Sequence, residues 1–292
     1  MSASFTGAGI WLITPPVPGR LERALAVRPD VALLDLEDSV AERGKDAARA
    51  AALAHLGTGP GLEAGVMTGL RINPMDTVHG LRDVLALADS PLRDAVILLP
   101  KVESARDIDI AAQVLDTQAR RLSLWVLIET PRALHRLQSI LAAPALRGVV
   151  FGAGDYAATA GCATSGTALW WARVTLAAGA AAAGIPAIDS PYFELDNHVG
   201  LRAETATARE LGFAGKGAVH PGQVPVIREA LRPTDADVAA ARAIVAAAED
   251  AQDGLTRAGG HMVGPPLVTA ARATLARATT GPVPSSPEET TR

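Results

Sequence analysis

Short apolar runs alternate with longer amphipathic stretches along most of this chain. Eight runs have the length and residue types of strands: residues 10–13, 31–36, 69–72, 95–99, 124–128, 148–151, 186–188 and 217–219. Each is followed by a stretch with helical periodicity: residues 20–27, 45–55, 81–88, 105–120, 133–142, 167–183, 198–211 and 223–231. Strands that alternate with helices pair in parallel through helical crossovers. The pattern therefore predicts eight successive βα units.

Eight such units within about 230 residues fit a closed (β/α)₈ TIM barrel. An open, doubly wound sheet is the alternative, but no glycine-rich phosphate-binding sequence follows the first predicted strand. We assign residues 1–232 to a barrel that forms the catalytic domain. Residues 233–280 are predicted to form a C-terminal helical extension, or lid. The tail, 281–292, is rich in proline, serine, threonine and glutamate, a composition typical of disorder.

Composition narrows the classes of function. The chain has 292 residues, 49% of them hydrophobic, and a net charge of -4 with scattered basic residues, so nucleic-acid binding is not expected. Cys162 is the only cysteine, which excludes an intramolecular disulfide and leaves carboxylates and histidines as metal ligands. No signal peptide and no membrane-spanning run can be recognised. The expectation is a cytoplasmic protein.

Two carboxylates follow neighbouring predicted strands. Glu129 ends the fifth apolar run, and Asp155 follows the sixth through Gly152, Ala153 and Gly154. Catalytic groups of TIM barrels lie at the C-terminal ends of the strands. Two oxygen ligands at adjacent strand ends suit a hard cation such as Mg²⁺, and the glycines would let the backbone approach a ligand.

Other ionisable residues end the second, third and fourth predicted strands: Asp35, Glu37, Asp38, Arg71, Lys101 and Glu103. Crowded carboxylates are costly unless cations or a metal offset them. A structural interpretation exists for several of these residues. Asp38 could cap a helix, and Lys101 and Glu103 could pair with the acids of the second strand.

Asp189 and His220 end the last two predicted strands, and each also has a structural interpretation. Asp189 precedes Ser190 and Pro191 and could form a turn. The ring of His220 could hold a loop by hydrogen bonding. Two neighbouring tryptophans, 170 and 171, fall within a helical pattern and indicate packing.

Several segments together resemble the citrate lyase β-subunit-like group of the HpcH/HpaI aldolase superfamily, which includes malyl-CoA and citramalyl-CoA lyases. They keep their order and cover roughly residues 30–225: LLDLEDSV (33–40), RINPMD (71–76), LPKVESA (99–105), LIETP (127–131), VFGAGDYA (150–157), GIPAID (184–189) and GFAGKGAVHPGQV (212–224). The resemblance implies a (β/α)₈ barrel, in agreement with the alternation of strands and helices.

The resemblance also implies a reaction and a cofactor. Glu129 and Asp155 would bind Mg²⁺, or Mn²⁺ in its place, and Arg71 would hold a carboxylate or carbonyl oxygen of a small carboxylate substrate. A metal acting as a Lewis acid could stabilise the enolate or alkoxide of a 2-oxo acid. Cleavage of the adjacent carbon–carbon bond then needs one proton transfer and no nucleophile. The expected activity is that of a lyase, or aldolase, acting on a 2-oxo or 3-hydroxy acid.

Further roles are implied by the same resemblance. Glu37 and Asp38 would contact waters on the metal, and Lys101 would lie in the same polar cluster. Arg20 and Arg23, which follow the first strand, are the nearby cations for the phosphates of coenzyme A. A homo-oligomer, trimeric or hexameric, is expected.

The C-terminal region departs from the family pattern. Two aspartates common in relatives are Gly259 and Gly264 here, and glycine cannot transfer a proton. Either His261 has taken over that role, or the substrate is not a coenzyme A ester.

Two further functions are weighed against the lyase. A malyl-CoA-type thioester hydrolase is disfavoured by the loss of these aspartates. A non-catalytic partner subunit is disfavoured because Glu129, Asp155 and Arg71 are retained.

Overall fold

Eight parallel strands close into a barrel in the computed structural model of the chain. The structure describes residues 8–59, 61, 65–117, 119–164, 166–250 and 256–279. The barrel strands are β1 (Gly9–Thr14), β2 (Val31–Asp35), β3 (Met67–Arg71), β4 (Asp94–Leu99), β5 (Arg121–Ile128), β6 (Leu146–Phe151), β7 (Ala187–Asp189) and β8 (Gly215–Ala218). β1 pairs with β2 on one side and with β8 on the other, so the sheet has no edge. The predicted (β/α)₈ barrel is confirmed, and the open sheet is excluded.

Helices connect the strands. They are α1 (Arg20–Ala26), α2 (Lys45–Gly57), α3 (Val78–Asp89), α4 (Ala105–Leu115), α5 (Pro131–His135), α6 (Leu137–Leu141), α7 (Ala153–Ala160), α8 (Trp170–Ala183), α9 (His198–Glu210) and α10 (Gln223–Leu231). Two features of these helices differ from the sequence pattern. The single helix predicted over residues 133–142 is interrupted at Arg136, and α7 was not predicted. Its first turn carries Asp155.

Large side chains from one face of the strands fill the barrel interior. The cluster consists of Trp11, Val31, Leu33, Val96, Leu98, Trp125, Leu127, Val150 and Ile188. Alternate residues of one strand contribute, as the two-residue period of a strand requires. The rings of Trp11 and Trp125 lie 4.5 Å apart between centroids. Gly148 makes room for Trp125, because a Cβ there would lie 2.2 Å from the indole ring.

The chain divides into two compact units, 1–228 and 229–292. In the second, α11 (Asp235–Asp250) and α12 (Pro265–Thr279) flank an antiparallel hairpin of β9 (Thr256–Ala258) and β10 (His261–Val263). Gly259 and Gly260, with φ of 54° and 83°, form its two-residue turn, a conformation that glycine adopts without strain. The predicted extension over 233–280 as a separate lid stays a prediction. The predicted disordered tail and the side chain of His261 lie outside the described residues.

Within the described residues, no helix is both long enough and apolar enough to cross a membrane.

A buried ionic cluster joins β7 and β8 to the helices outside them. Lys216 is fully buried, and its ammonium donates to Asp189 Oδ2 (2.7 Å), Glu204 Oε1 (2.8 Å) and the carbonyl of Ser190 (2.6 Å). Arg173 completes the cluster by pairing with Asp189 at 2.9 Å and with Glu204 at 3.1 Å. Burial raises the pKa of Asp189, but the charges of Lys216 and Arg173 outweigh it and hold the pKa below its usual value. Two cations therefore neutralise two carboxylates away from water.

Replacing Lys216 with methionine should destabilise the fold strongly. Breaking a buried ion pair leaves an uncompensated charge, which costs about 3–5 kcal/mol. Urea unfolding of Lys216→Met is the measurement, with Arg106→Met on α4 as the control that removes an exposed cation. Equal free energies of unfolding for the two variants would contradict a stabilising role for the cluster.

Candidate active site at the carboxyl ends of the strands

A cavity of about 490 Å³ opens at the carboxyl ends of the barrel strands. One side is charged and includes Asp35, Asp38, Arg71, Glu129 and Asp155. The other side is largely apolar and includes Ile13, Leu127, Val150, Phe151, Phe193 and Val219. The predicted residues from the second, third, fifth and sixth βα units thus converge on one cavity.

Glu129 lies directly after β5 and is only 2% exposed. Its Oε1 accepts a hydrogen bond from the main-chain N–H of Lys101 at 2.6 Å. Gly152, which follows β6, packs against this side chain, because a Cβ there would lie 2.4 Å from Glu129 Cβ. The sequence suggested that glycine lets the backbone approach a ligand. The structure shows that Gly152 makes room for the catalytic candidate itself.

Asp155 extends from the first turn of α7 and is about half-buried. The N-cap of this helix is Gly152, which has no side chain to satisfy the first N–H groups. A buried hydroxyl that directly follows the neighbouring strand β7 replaces it: Ala153 N–H donates to Ser190 Oγ at 3.2 Å. Ser190 lines the cavity and was not singled out from the sequence.

Lys101 links the two carboxylates. Its main-chain N–H binds Glu129, and its ammonium lies 2.6 Å from Asp155 Oδ2 and 3.4 Å from Glu37 Oε1. Its backbone adopts a φ of 51°, which is uncommon for a residue with a Cβ. The suggested pairing of Lys101 with an acid of the second strand is correct.

Arg71 is held by the acids that follow β2. Its Nε and Nη2 donate to the two oxygens of Asp35, each at 2.7 Å. Glu37 lies 2.9 Å from Nη1 and Asp38 lies 3.3 Å from Nη2. Asp35 also accepts the N–H of Glu37 at 2.9 Å, so it fixes both the guanidinium and its own loop. Its role as the positioning partner of Arg71 was not predicted.

A buried lysine also fixes the loop that follows β2. Lys45, at the start of α2, donates to the carbonyls of Leu36 (2.8 Å) and Glu37 (2.6 Å). Nothing in the sequence distinguishes this lysine from a surface residue of a helix.

Negative charge outnumbers positive charge in this cluster, where five carboxylates share the cations of Arg71 and Lys101. Burial, reinforced by Glu37, raises the pKa of Glu129 to about 8. Burial also raises the pKa of Glu37 to about 7, against the opposing charge of Arg71. Burial raises the pKa of Asp155 as well, but its hydrogen bond to Lys101 outweighs this and lowers it. Burial lowers the pKa of Lys101, but the carboxylates outweigh that effect and raise it.

These features fit a divalent cation. Burial raises the pKa of both Glu129 and Glu37, and neighbouring carboxylates raise it further. Neither buried oxygen of Glu37 accepts a hydrogen bond, although Arg71 Nη1 lies 2.9 Å from Oε2. Among the described residues, no group of three or more potential ligand side chains is arranged to hold a metal. Glu129 and Asp155 are the candidate pair of carboxylate donors. Mg²⁺ commonly uses one or two protein carboxylates and fills its other positions with water and substrate.

Several other predicted residues lie outside the cavity. Arg20 and Arg23 are exposed on α1, and Arg23 Nε donates to the carbonyl of Gly19 at 3.0 Å. Asp189 belongs to the buried ionic cluster rather than to a turn alone. Glu103 pairs with Arg132 at 3.1 Å and accepts from Thr130, so the predicted pairing of Glu103 with the second-strand acids is wrong.

His220, Trp170 and Trp171 were each given a structural interpretation from the sequence. His220 Nδ1 accepts the N–H of Gly222 at 3.1 Å, so its structural interpretation is correct. The side chains of Trp170 and Trp171 are 50% and 65% exposed, so they lie at the surface of α8 and not in the interior of this chain.

The raised pKa of Glu129 predicts a pH-dependent stability in metal-free protein. Because this pKa, about 8, exceeds the ordinary 4.5, its stabilising contribution is complete below pH 4.5 and is lost as pH rises through about 8. Glu129→Gln stays neutral at all pH values. Its Tm in EDTA, relative to wild type, should therefore rise by about 3 °C or more between about pH 5.5 and about pH 9.

Thermal unfolding monitored by circular dichroism measures this difference. Glu210→Gln, at an exposed position of α9, should show no such trend. A Tm difference for Glu129→Gln that is independent of pH would contradict the buried, uncompensated carboxylate.

Comparison with known proteins agrees with the fold. The family model described as HpcH/HpaI aldolase/citrate lyase matches residues 17–221. Citrate lyase subunit beta of Haemophilus influenzae is 32% identical over 282 residues, covering 91% of this chain and 96% of that protein. The L-malyl-CoA/beta-methylmalyl-CoA lyase of Rhodobacter capsulatus is 33% identical, covering 82% and 87%. A (3S)-malyl-CoA thioesterase of Cereibacter sphaeroides is 34% identical, covering 90% and 92%.

Among solved structures, the protein CitE from Mycobacterium tuberculosis, in complex with magnesium, acetoacetate and coenzyme A, matches with a TM-score of 0.81. It is 34% identical, and the match covers 93% of this chain and 98% of that one. The motifs at the strand ends, the closed barrel and these similarities agree, and the chain belongs to the HpcH/HpaI aldolase/citrate lyase family.

Proposed function

We propose that this protein is a Mg²⁺-dependent carbon–carbon lyase that cleaves a small 3-hydroxy acid unit to a 2-oxo acid, or catalyses the reverse aldol addition. The observation that carries the proposal is the convergence of Glu129, Asp155 and Arg71 on one cavity at the carboxyl ends of the strands. Relatives named as citrate lyase subunit beta and malyl-CoA lyase support it, because they match over most of their length.

Glu129 and Asp155 would hold the ion. When bound there, Mg²⁺ would act as a Lewis acid toward the carbonyl and carboxylate oxygens of a 2-oxo acid. Mn²⁺ has the same preference for oxygen ligands and would serve in its place. A magnesium complex of the Mycobacterium tuberculosis relative supports this assignment.

Arg71 would hold the carboxylate of the substrate. Its guanidinium faces the cavity, and the two-pronged contact with Asp35 fixes the plane of the fork before substrate arrives. A charge-assisted contact from a fixed guanidinium orients the substrate at a small entropic cost. Asp38, exposed at the rim, would keep Nη2 in place.

Glu37 is suited to proton transfer. In the metal-free protein burial raises its pKa to about 7, so its carboxyl group holds a proton more readily than an ordinary glutamate, and it lies between Arg71 and Lys101. This role matters because Gly259 and Gly264 stand where the family resemblance implied aspartates. We therefore assign the proton transfer of the reaction to Glu37.

The substrate is proposed to be a coenzyme A thioester. The relatives named for malyl-CoA and the coenzyme A complex of CitE support this choice. Arg20 and Arg23 lie one helical turn apart on α1, which places both exposed cations on neighbouring positions of one face. They would contact the phosphates of the coenzyme.

The remaining proposals concern assembly and location. We propose a homo-oligomer, trimeric or hexameric, in the cytoplasm. The exposed Trp170, Trp171 and Val174 of α8 form an apolar surface of the kind that subunit contacts cover.

A thioester hydrolase is the second candidate, because a malyl-CoA thioesterase is among the relatives. The two reactions give different products from malyl-CoA or citramalyl-CoA. A lyase releases a 2-oxo acid and leaves the thioester intact, whereas a hydrolase releases free thiol. We expect Mg²⁺-dependent release of glyoxylate or pyruvate, measured with a coupled dehydrogenase. Thiol release without a 2-oxo acid would contradict the lyase.

Variants at the proposed metal site should distinguish residues that affect metal binding from residues that only lie nearby. Asp155→Asn removes a ligand charge, and Gly152→Ala displaces Glu129 because its Cβ would lie 2.4 Å from Glu129 Cβ. Each should weaken Mn²⁺ binding by about tenfold or more, within the range seen when metal sites are disturbed. Gly154→Ala is the matched control, since its Cβ would make only an ordinary contact with Phe193 at 3.6 Å.

Electron paramagnetic resonance of free Mn²⁺ measures these affinities directly. Wild-type affinity in both Asp155→Asn and Gly152→Ala would contradict the proposed ligands.

Coenzyme A use is tested by thermal shift. At saturating Mg²⁺, acetyl-CoA should raise the Tm of the wild-type protein by a few degrees, as any ligand that binds only the folded state does. The double variant Arg20→Ala and Arg23→Ala should lose most of that shift. The control is acetate, which lacks the phosphates. No shift for the wild type at millimolar acetyl-CoA would favour a free acid as the substrate.

A further inference from the structure

One residue, Lys101, touches both carboxylates that are proposed to bind the metal. Its main-chain N–H holds Glu129 at 2.6 Å, and its ammonium holds Asp155 at 2.6 Å. The two contacts are made by different parts of the residue. The main-chain contact belongs to a turn fixed between β4 and α4, whereas the ammonium ends a flexible side chain that is 39% exposed.

A second cavity lies beside the first, and Lys101 lines it. This space of about 500 Å³ also borders Asp76, Glu103, Asp107 and Arg132. Its lining includes three carboxylic residues, of which Glu103 is paired with Arg132. The ammonium of Lys101 contacts Asp155 and Glu37, and the same residue also borders the second cavity.

The ammonium and a divalent cation compete for one carboxylate. Asp155 cannot neutralise both at once, and the two positive charges repel each other. Lys101 must therefore weaken metal binding for as long as it holds Asp155. A substrate carboxylate changes this competition for Asp155, because it offers the ammonium of Lys101 another anionic partner in the same site.

We propose that Lys101 couples the binding of the divalent cation to the binding of the carboxylate substrate. The ammonium holds Asp155 in the free protein and releases it when a substrate carboxylate receives the charge. By thermodynamic linkage, metal and substrate then strengthen each other's binding by the same factor. This inference rests on the proposed function, since it needs Asp155 as a metal ligand.

The coupling has a consequence for the order of events. Without substrate, the protein binds the ion weakly, and the tight metal site forms only when a carboxylate is present. A coupling of about 5–150-fold is typical of linked sites.

Mn²⁺ titrations, with and without pyruvate, test the inference by electron paramagnetic resonance. Lys101→Met should bind Mn²⁺ about tenfold more tightly than wild type in the absence of pyruvate. The factor by which pyruvate tightens Mn²⁺ binding should be at least about fivefold smaller in Lys101→Met than in wild type. Lys101→Arg keeps the charge and should retain the weak binding of wild type.

The control is Arg121→Met, which removes an exposed cation paired with Asp94 at the start of β5 and should change neither value. Lys101→Gln provides a second neutral variant if Lys101→Met unfolds. Unchanged or weaker Mn²⁺ binding in the neutral variants, or undiminished coupling, would overturn the role of Lys101 while leaving the metal site in place. If wild type binds no Mn²⁺ at millimolar concentration with pyruvate present, the proposed function and this inference both fail.

Discussion

The site depends on concentrating carboxylates where little solvent reaches them. Glu37 and Glu129 are almost fully buried, and Arg71 and Lys101 are the cations that face them. Such crowding destabilises the ionised forms, as the raised pKa values of both glutamates indicate. The surrounding structure holds the charges together despite this cost. The barrel supplies that stability through its packed interior and its buried ionic cluster.

The barrel could be predicted from the sequence because its signal is repeated. Each βα unit carries its own apolar run and amphipathic helix, and errors of a few residues at the ends do not change the topology. The helix that carries Asp155 could not be found in this way. Residues 153–160 include glycine and several small residues, and the cap of the helix comes from Ser190, which lies far away in the sequence. A local sequence pattern cannot indicate a capping group that lies after another strand.

Partners of charged residues were harder to predict than their positions. The sequence places Asp189 at a strand end, as it does Glu129, yet one lies in an ionic cluster and the other lines the cavity. The difference depends on Lys216, whose ammonium is saturated by three oxygens. A lysine in the short run GKGA does not resemble a buried residue. Its partners come from β7 and α9, and only the folded chain brings them together.

The two cations of the site are held in different ways, and this difference accounts for their different proposed roles. Arg71 is fixed by two parallel hydrogen bonds to Asp35, whose oxygens also anchor the backbone of Glu37. Moving it would break several charge-assisted contacts at once, so it is suited to orienting a substrate. The ammonium of Lys101 is a point charge on a flexible chain and can exchange one carboxylate for another. A barrel that needed only to neutralise its acids could have used two fixed arginines. A lysine beside Asp155 leaves one carboxylate free to change partners when a divalent cation and a substrate arrive together.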